Sequence, residues 1–293
     1  MERKIRMDLL SDWHDEMIKE MIEEGLQFSQ DSSKDSLIIK YFAYLRKKGG
    51  QIPRKVYKSK EFNCPPKHEK GLANLIHKLE TGEDLAPYLS KQVKKLNHDG
   101  MFNDWGVLHF HLGEKMEGNS KYIERTGPLL YAVLRENAAY LINVLEHQNW
   151  TNRDILQTIY RNWPELISPY KIAGDVRLAY NYTEKQHQQL RNAGVVVMVE
   201  LEEENGEKFV VAPPGMGIVT SGHSMNDVKL YQREANLLRT IEDQIKNDII
   251  SIEQAMKEQQ MATPETYNFK LIHEDGKWKV REENTGYVIN FET

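Results

Sequence analysis

The 293-residue chain predicts an α+β fold. Three observations point there. Apolar residues recur at helical spacing near the N-terminus. Short β-type runs cluster in the middle of the chain, and a further β-type pair precedes one long helical stripe towards the C-terminus. The expected architecture is a helical N-terminal region, a small central antiparallel sheet with helices, and a C-terminal β/α unit with a long helix. The expected divisions are 1–66, 67–180 and 181–293.

In chain order, Leu9, Leu10, Trp13, Met17, Met21 and Ile22 form the buried stripe of a helix over 8–28. Ser32-Ser33-Lys34-Asp35 offers caps for a second helix, whose inner stripe is Leu37, Ile38, Tyr41, Phe42 and Leu45 and which stops at Gly49-Gly50. Residues 51–66 read as loop or extended chain, broken by Pro53, Pro65 and Pro66. Leu72, Leu75, Ile76 and Leu79 predict an amphipathic helix over 67–80, and a short helix is expected near 84–95. Leu129–Leu134 and Ala138–Leu145 are dense apolar runs joined at Arg135-Glu136-Asn137, a hairpin buried on at least one face. Thr151 is the expected cap of a helix that ends at Asn162-Trp163-Pro164. Residues 195–201 and 208–211 predict a second hairpin. The glycine-containing loop of 212–222 reads foremost as a tight structural turn. Ser224 or Asn226 would start a helix reaching about residue 259. Turns at Asp275-Gly276 and Thr285-Gly286 would connect a terminal meander.

Composition narrows the function classes. The chain is 40% hydrophobic and 28% charged, with mean hydropathy −0.65. No apolar run approaches the ~18 residues of a membrane span. The N-terminus lacks the apolar core of a secretion signal, so a cytoplasmic protein is expected. Its one cysteine, Cys64, precludes an intrachain disulfide framework and a multi-cysteine zinc site. The net charge of −5 disfavours indiscriminate nucleic-acid binding. Yet residues 36–60 carry Lys40, Arg46, Lys47, Lys48, Arg54, Lys55, Lys58 and Lys60 without one acid, and Lys91, Lys94 and Lys95 follow. Such a surface would attract phosphate.

The richest stretch for chemistry is Asn103-Asp104-Trp105-Gly106-Val107-Leu108-His109-Phe110-His111-Leu112-Gly113. It reads as a strand. Period 2 places Val107, His109 and His111 on one face and Leu108, Phe110 and Leu112 on the other. The two imidazoles would then lie about 7 Å apart along the strand. Glu124-Arg125-Thr126-Gly127 leads into the first hairpin, which ends at Glu146-His147. If the strands pair as a meander, His109, His111, Arg125 and His147 share one face or its rim. These residue types suit metal-independent cleavage of an RNA phosphodiester. A neutral imidazole takes the ribose hydroxyl proton, an imidazolium protonates the leaving oxygen, and Arg125 steadies the phosphoryl oxygens. Arg54, Lys55, Lys58, Lys94 and Lys95 are the expected phosphate-binding residues.

Two alternatives remain open. An HxH pair can present two nitrogens to a divalent metal, with Asp104, His98, Glu124 or His147 as third ligand. A non-catalytic protein could instead oligomerise or bind a partner through the 225–259 helix.

Two resemblances add to this reading. Arg54-Lys55-Val56, the Asn103–Gly113 stretch, Glu124-Arg125-Thr126-Gly127-Pro128-Leu129-Leu130, Asn162-Trp163-Pro164-Glu165 and the Ala-Pro-Pro-Gly loop resemble a bacterial family with no assigned activity. Residues 67–147 more loosely resemble RelE/ParE-type toxins, through Trp105, Arg125, Leu129-Leu130-Tyr131-Ala132-Val133 and His147. The latter resemblance implies action on RNA or the ribosome. It covers under a third of the chain.

Overall fold

The computed structural model describes residues 3–146 and 151–291. It is α+β. In chain order the elements are β1 (Lys4–Arg6), α1 (Leu9–Glu23), α2 (Lys34–Lys48), β2 (Lys55–Lys58), α3 (Glu69–Thr81), α4 (Gly100–Trp105), β3 (Leu108–Phe110), β4 (Leu129–Leu134), β5 (Ala138–Leu145) and α5 (Asp154–Asn162). There follow α6 (Glu184–Asn192), β6 (Val199–Glu202), β7 (Lys208–Val211), α7 (Met225–Asn247), α8 (Ile249–Glu258), β8 (Thr266–Glu274), β9 (Lys277–Glu282) and β10 (Val288–Asn290). The chain divides into two compact units, residues 1–41 with 228–293 and residues 42–227. The divisions expected at 66 and 180 both fall inside the second unit. Among the described residues, no helix is long and apolar enough to cross a membrane.

In the unit formed by the chain ends, β8, β9 and β10 make the expected meander. Asp275 and Gly276 both take positive φ, 53° and 71°, the geometry a two-residue hairpin turn demands. β1 adds as a parallel strand beside β8. Asp8 caps α1 by accepting from the Ser11 N–H at 2.9 Å. Leu9, Trp13, Met17 and Met21 of the expected stripe are buried, whereas Leu10 is half-buried and Ile22 is 63% exposed, past the buried face of the last turn. The long helix differs from its expectation. It is interrupted at Asp248, which separates α7 from α8.

The central unit is built on a sheet ordered β2-β5-β4-β3. β3, β4 and β5 are antiparallel, and β2 joins parallel to β5, with Lys55 opposite Ala138. Residues 51–66 therefore contain a strand. Both sheet faces are covered, which explains the unbroken apolar runs of β4 and β5. On one face Leu108, Phe110, Leu130, Ala132 and Leu141 pack with Leu72, Leu75 and Leu79 of α3. On the other Val107, Leu129, Tyr131, Val133 and Ile142 pack with Ile155, Leu156 and Ile159 of α5 and with the β6–β7 hairpin. The expected short helix near 84–95 is two 3-10 turns, at Ala86–Tyr88 and Lys91–Lys95. Thr151 does not cap α5. Its hydroxyl donates to the Glu184 carbonyl at 3.0 Å, and Asn152 accepts from the Asp154 N–H instead.

Candidate phosphate-binding cleft

The Asn103–Gly113 stretch is not one strand. Asp99 accepts from the Phe102 N–H at 3.0 Å and starts α4, which ends on Gly106 at φ 69°. Only Leu108–Phe110 is strand, and it forms a sheet edge. The last carbonyls of α4 are met by the glycine loop. Gly215 N–H donates to the Asp104 carbonyl at 2.7 Å and Gly217 N–H to that of Asn103 at 2.9 Å. A Cβ at 215 would stand 2.4 Å from the Asn103 carbonyl oxygen, so this approach requires glycine. The loop is a structural clamp.

Beyond β3 the chain is strapped to the Glu124–Pro128 segment. The His111 N–H donates to the Tyr88 carbonyl at 2.8 Å. The Leu112 N–H donates to Thr126 Oγ1 at 3.1 Å, and Thr126 Oγ1 donates to the Pro128 carbonyl at 2.6 Å. The Thr126 N–H donates to His111 Nδ1 at 3.2 Å. An Nδ1 that accepts carries no proton, so His111 is the neutral tautomer with hydrogen on Nε2. Its side chain is buried, whereas His109 is half-buried, its ring centroid 6.5 Å from that of Tyr131.

His109, His111 and Arg125 line one cleft of about 420 Å³ at the edge formed by β3. Leu89, Val93 and Met101 give it apolar wall. Lys47, His98 and Asp99 line it too, as do Gln188, Arg191 and Asn192 of α6. Lys47 is buried with Nζ on the Asn97 carbonyl at 3.2 Å, and burial lowers its pKa. His98 keeps a solvent-exposed edge while Nδ1 bonds the Asn103 side-chain amide at 3.0 Å. Desolvation of the ring lowers its pKa as well.

Arg191 is 4% exposed and donates from Nε to Asp104 Oδ2 at 2.6 Å. Its guanidinium lies 4.8 Å from the centre of the Trp105 ring. Burial pushes the Asp104 carboxyl up, and the Arg191 charge opposes that shift. Beside them His187 packs edge-on against Trp105 at 5.6 Å, and burial carries its pKa down to about 4. Arg191 reaches the cleft because position 100 is glycine. A Cβ there would stand 2.4 Å from Arg191 Cδ.

The remaining expected site residues lie elsewhere. His147 falls outside the described residues. Arg54 is buried and donates to the Arg135, Ile52, Gly50 and Gly49 carbonyls, so its guanidinium ties two loops together. Lys55 and Lys58 are exposed on β2, at the opposite sheet edge from His109, about 14 Å away by strand spacing. Each ammonium leans on a ring, Lys55 on Tyr57 and Lys58 on Phe62. Lys94 and Lys95 sit in the 3-10 turn whose Gln92 and Val93 line the cleft. Asp104, weighed as a metal ligand, is held by Arg191. Among the described residues, no group of three His, Cys, Asp or Glu is placed to hold one metal ion.

Lys47 and Arg191 were not expected from sequence. The basic run announced Lys47 only as one cation among many. Nothing near Arg191 in the chain marks it, because its partner Asp104 lies 87 positions away.

Comparison with known proteins finds no matching family model, no matching curated protein and no matching solved structure.

Proposed function

We propose that this protein is a metal-independent endoribonuclease that acts in the cytoplasm on RNA, free or ribosome-bound. The observation that carries the reading is the convergence of His109, His111 and Arg125 on one cleft whose walls also hold Lys47 and Arg191. Lys47, Arg125 and Arg191 around the two imidazoles favour a phosphodiester anion. His109, the more open imidazole, removes the proton from the ribose 2′-hydroxyl, and that oxygen attacks phosphorus. Arg125 and the Nε2–H of His111 stabilise the charge that gathers on the phosphoryl oxygens. Lys47, made more acidic by its burial, gives a proton to the departing 5′-oxygen. The products are a 2′,3′-cyclic phosphate and a 5′-hydroxyl. Lys94 and Lys95, beside the cleft, attract the flanking backbone.

The test is incubation of the full chain with an RNA oligonucleotide in the presence of a chelator, alongside the same sequence as DNA. The reading expects RNA cleavage to cyclic-phosphate ends, intact DNA, and loss of about 10²–10⁴ in rate for His109→Ala. Intact RNA, or equal cleavage by His109→Ala, overturns it.

A further inference from the structure

We infer that the cleft is a receptor for one nucleotide and that Arg191 is the residue that grips its phosphate. The inference rests on the reading above for the location of the cleft, and it adds the size and orientation of the ligand. Three independent observations bear on it.

The first is volume. About 420 Å³ lies at the small end of ligand pockets and matches one nucleoside phosphate rather than a groove for several. The second is the lining. Leu89, Val93 and Met101 offer an apolar wall for the flat face of a base, and Gln92, Gln188 and Asn192 bring amides that can pair with its edges. A cleft built for inorganic phosphate alone would have no use for that apolar wall. The third is Arg191 itself. Its stem passes through the gap left by Gly100, Asp104 fixes Nε, and the Trp105 ring supports the guanidinium plane. A guanidinium held in this way presents a rigid fork to an oxyanion and loses little freedom on binding. A buried ion pair by itself is weak evidence of a stabilising role. Here Arg191 lines the cleft while Asp104 stands behind it, outside the lining.

The experiment is calorimetric titration of the full-length protein with inorganic phosphate, with uridine and adenosine, and with the four nucleoside 3′-monophosphates. The monophosphates are expected to bind at least about tenfold more tightly than either phosphate or the matching nucleoside. Arg191→Gln keeps an amide for Asp104, and it is expected to cost about 10- to 100-fold in nucleotide affinity while leaving nucleoside affinity unchanged. Should Arg191→Gln fail to fold, Gln188→Trp provides the second arm. It fills the cleft from a partly exposed helix position, and it is expected to abolish nucleotide binding while weak phosphate binding persists.

Monophosphates that bind no more tightly than phosphate overturn the inference. So does a folded Arg191→Gln with unchanged nucleotide affinity, or a folded Gln188→Trp that still takes nucleotides. Nucleotide binding without RNA cleavage would remove the nuclease reading and keep this one. RNA cleavage without mononucleotide binding would do the reverse.

Discussion

The backbone N–H of Thr126 donates to Nδ1 of His111 at 3.2 Å, so a residue outside the strand decides which nitrogen of a cleft imidazole carries the proton. The Thr126 hydroxyl holds the same segment in place by accepting from Leu112 N–H and donating to the Pro128 carbonyl. Thr126→Val keeps the shape and removes both bonds. We expect a loss of about 1–3 kcal/mol in urea unfolding, because Leu112 N–H is left without that acceptor. Thr126→Ser should restore most of it.

The Arg191–Asp104 pair is buried on both sides, with side chains 4% and 6% exposed. Asp104→Ala would leave a guanidinium enclosed without its carboxylate, at a cost of about 3–5 kcal/mol. The double replacement Asp104→Ala/Arg191→Met should cost less than Asp104→Ala alone. A double-mutant cycle by denaturant unfolding checks this, and additive effects would contradict the coupling.

Two glycines permit close approaches that a side chain would break. At Gly100 an added Cβ would stand 2.4 Å from Arg191 Cδ, so Gly100→Ala should pull Arg191 away from Asp104, weakening nucleotide binding and destabilising by up to about the 3–5 kcal/mol of the broken pair. At Gly71 an added Cβ meets the Leu112 carbonyl oxygen at 2.0 Å, and backbone cannot step aside. Gly71→Ala should therefore destabilise by about 1–3 kcal/mol or more.

His187 gives unit 42–227 a pH dependence. Its folded pKa lies at about 4, set first by burial and then by the nearby Arg191 and Arg153 charges. The unfolded chain takes up a proton near pH 6.5, which the folded protein refuses until about pH 4. Stability is thus fully present above pH 6.5 and falls as pH drops towards 4. The slope is at most about 1.4 kcal/mol per pH unit, on the order of 3 kcal/mol across the window. His187→Phe should flatten the stability profile from pH 7 to 4 by that amount. An unchanged slope would contradict the assignment.

Legibility in the sequence followed the range of the forces involved. Most of the α1 stripe (Leu9, Trp13, Met17 and Met21, but not Ile22), the β4–β5 hairpin and the Asp275-Gly276 turn are encoded within a few residues and stand where periodicity and turn chemistry put them. β1 and β2 carry three and four residues and depend on parallel partners far along the chain, so their own sequences hold little signal. The strand reading rests on alternation over 107–112 and carries back to Asn103–Trp105, which the Asp99 cap and the Gly106 stop make helix. In the cleft, His109, His111 and Arg125 were readable together because 17 positions span them. Lys47 and Arg191 arrive from α2 and α6 by tertiary packing alone. Arg54 sits in a basic run, and only its carbonyl partners reveal that it points inward.

The most direct measurement is an imidazole NMR titration of the full chain with a dinucleotide whose 2′-hydroxyl is absent, which binds without being cut. The account predicts that the His109 and His111 ring resonances shift along one saturating curve, that Arg125→Ala weakens that curve by about tenfold, and that His14 and His273 in the other unit stay still. Resonances of His109 and His111 that fail to move, or that move with different midpoints, would contradict a shared phosphate-binding cleft.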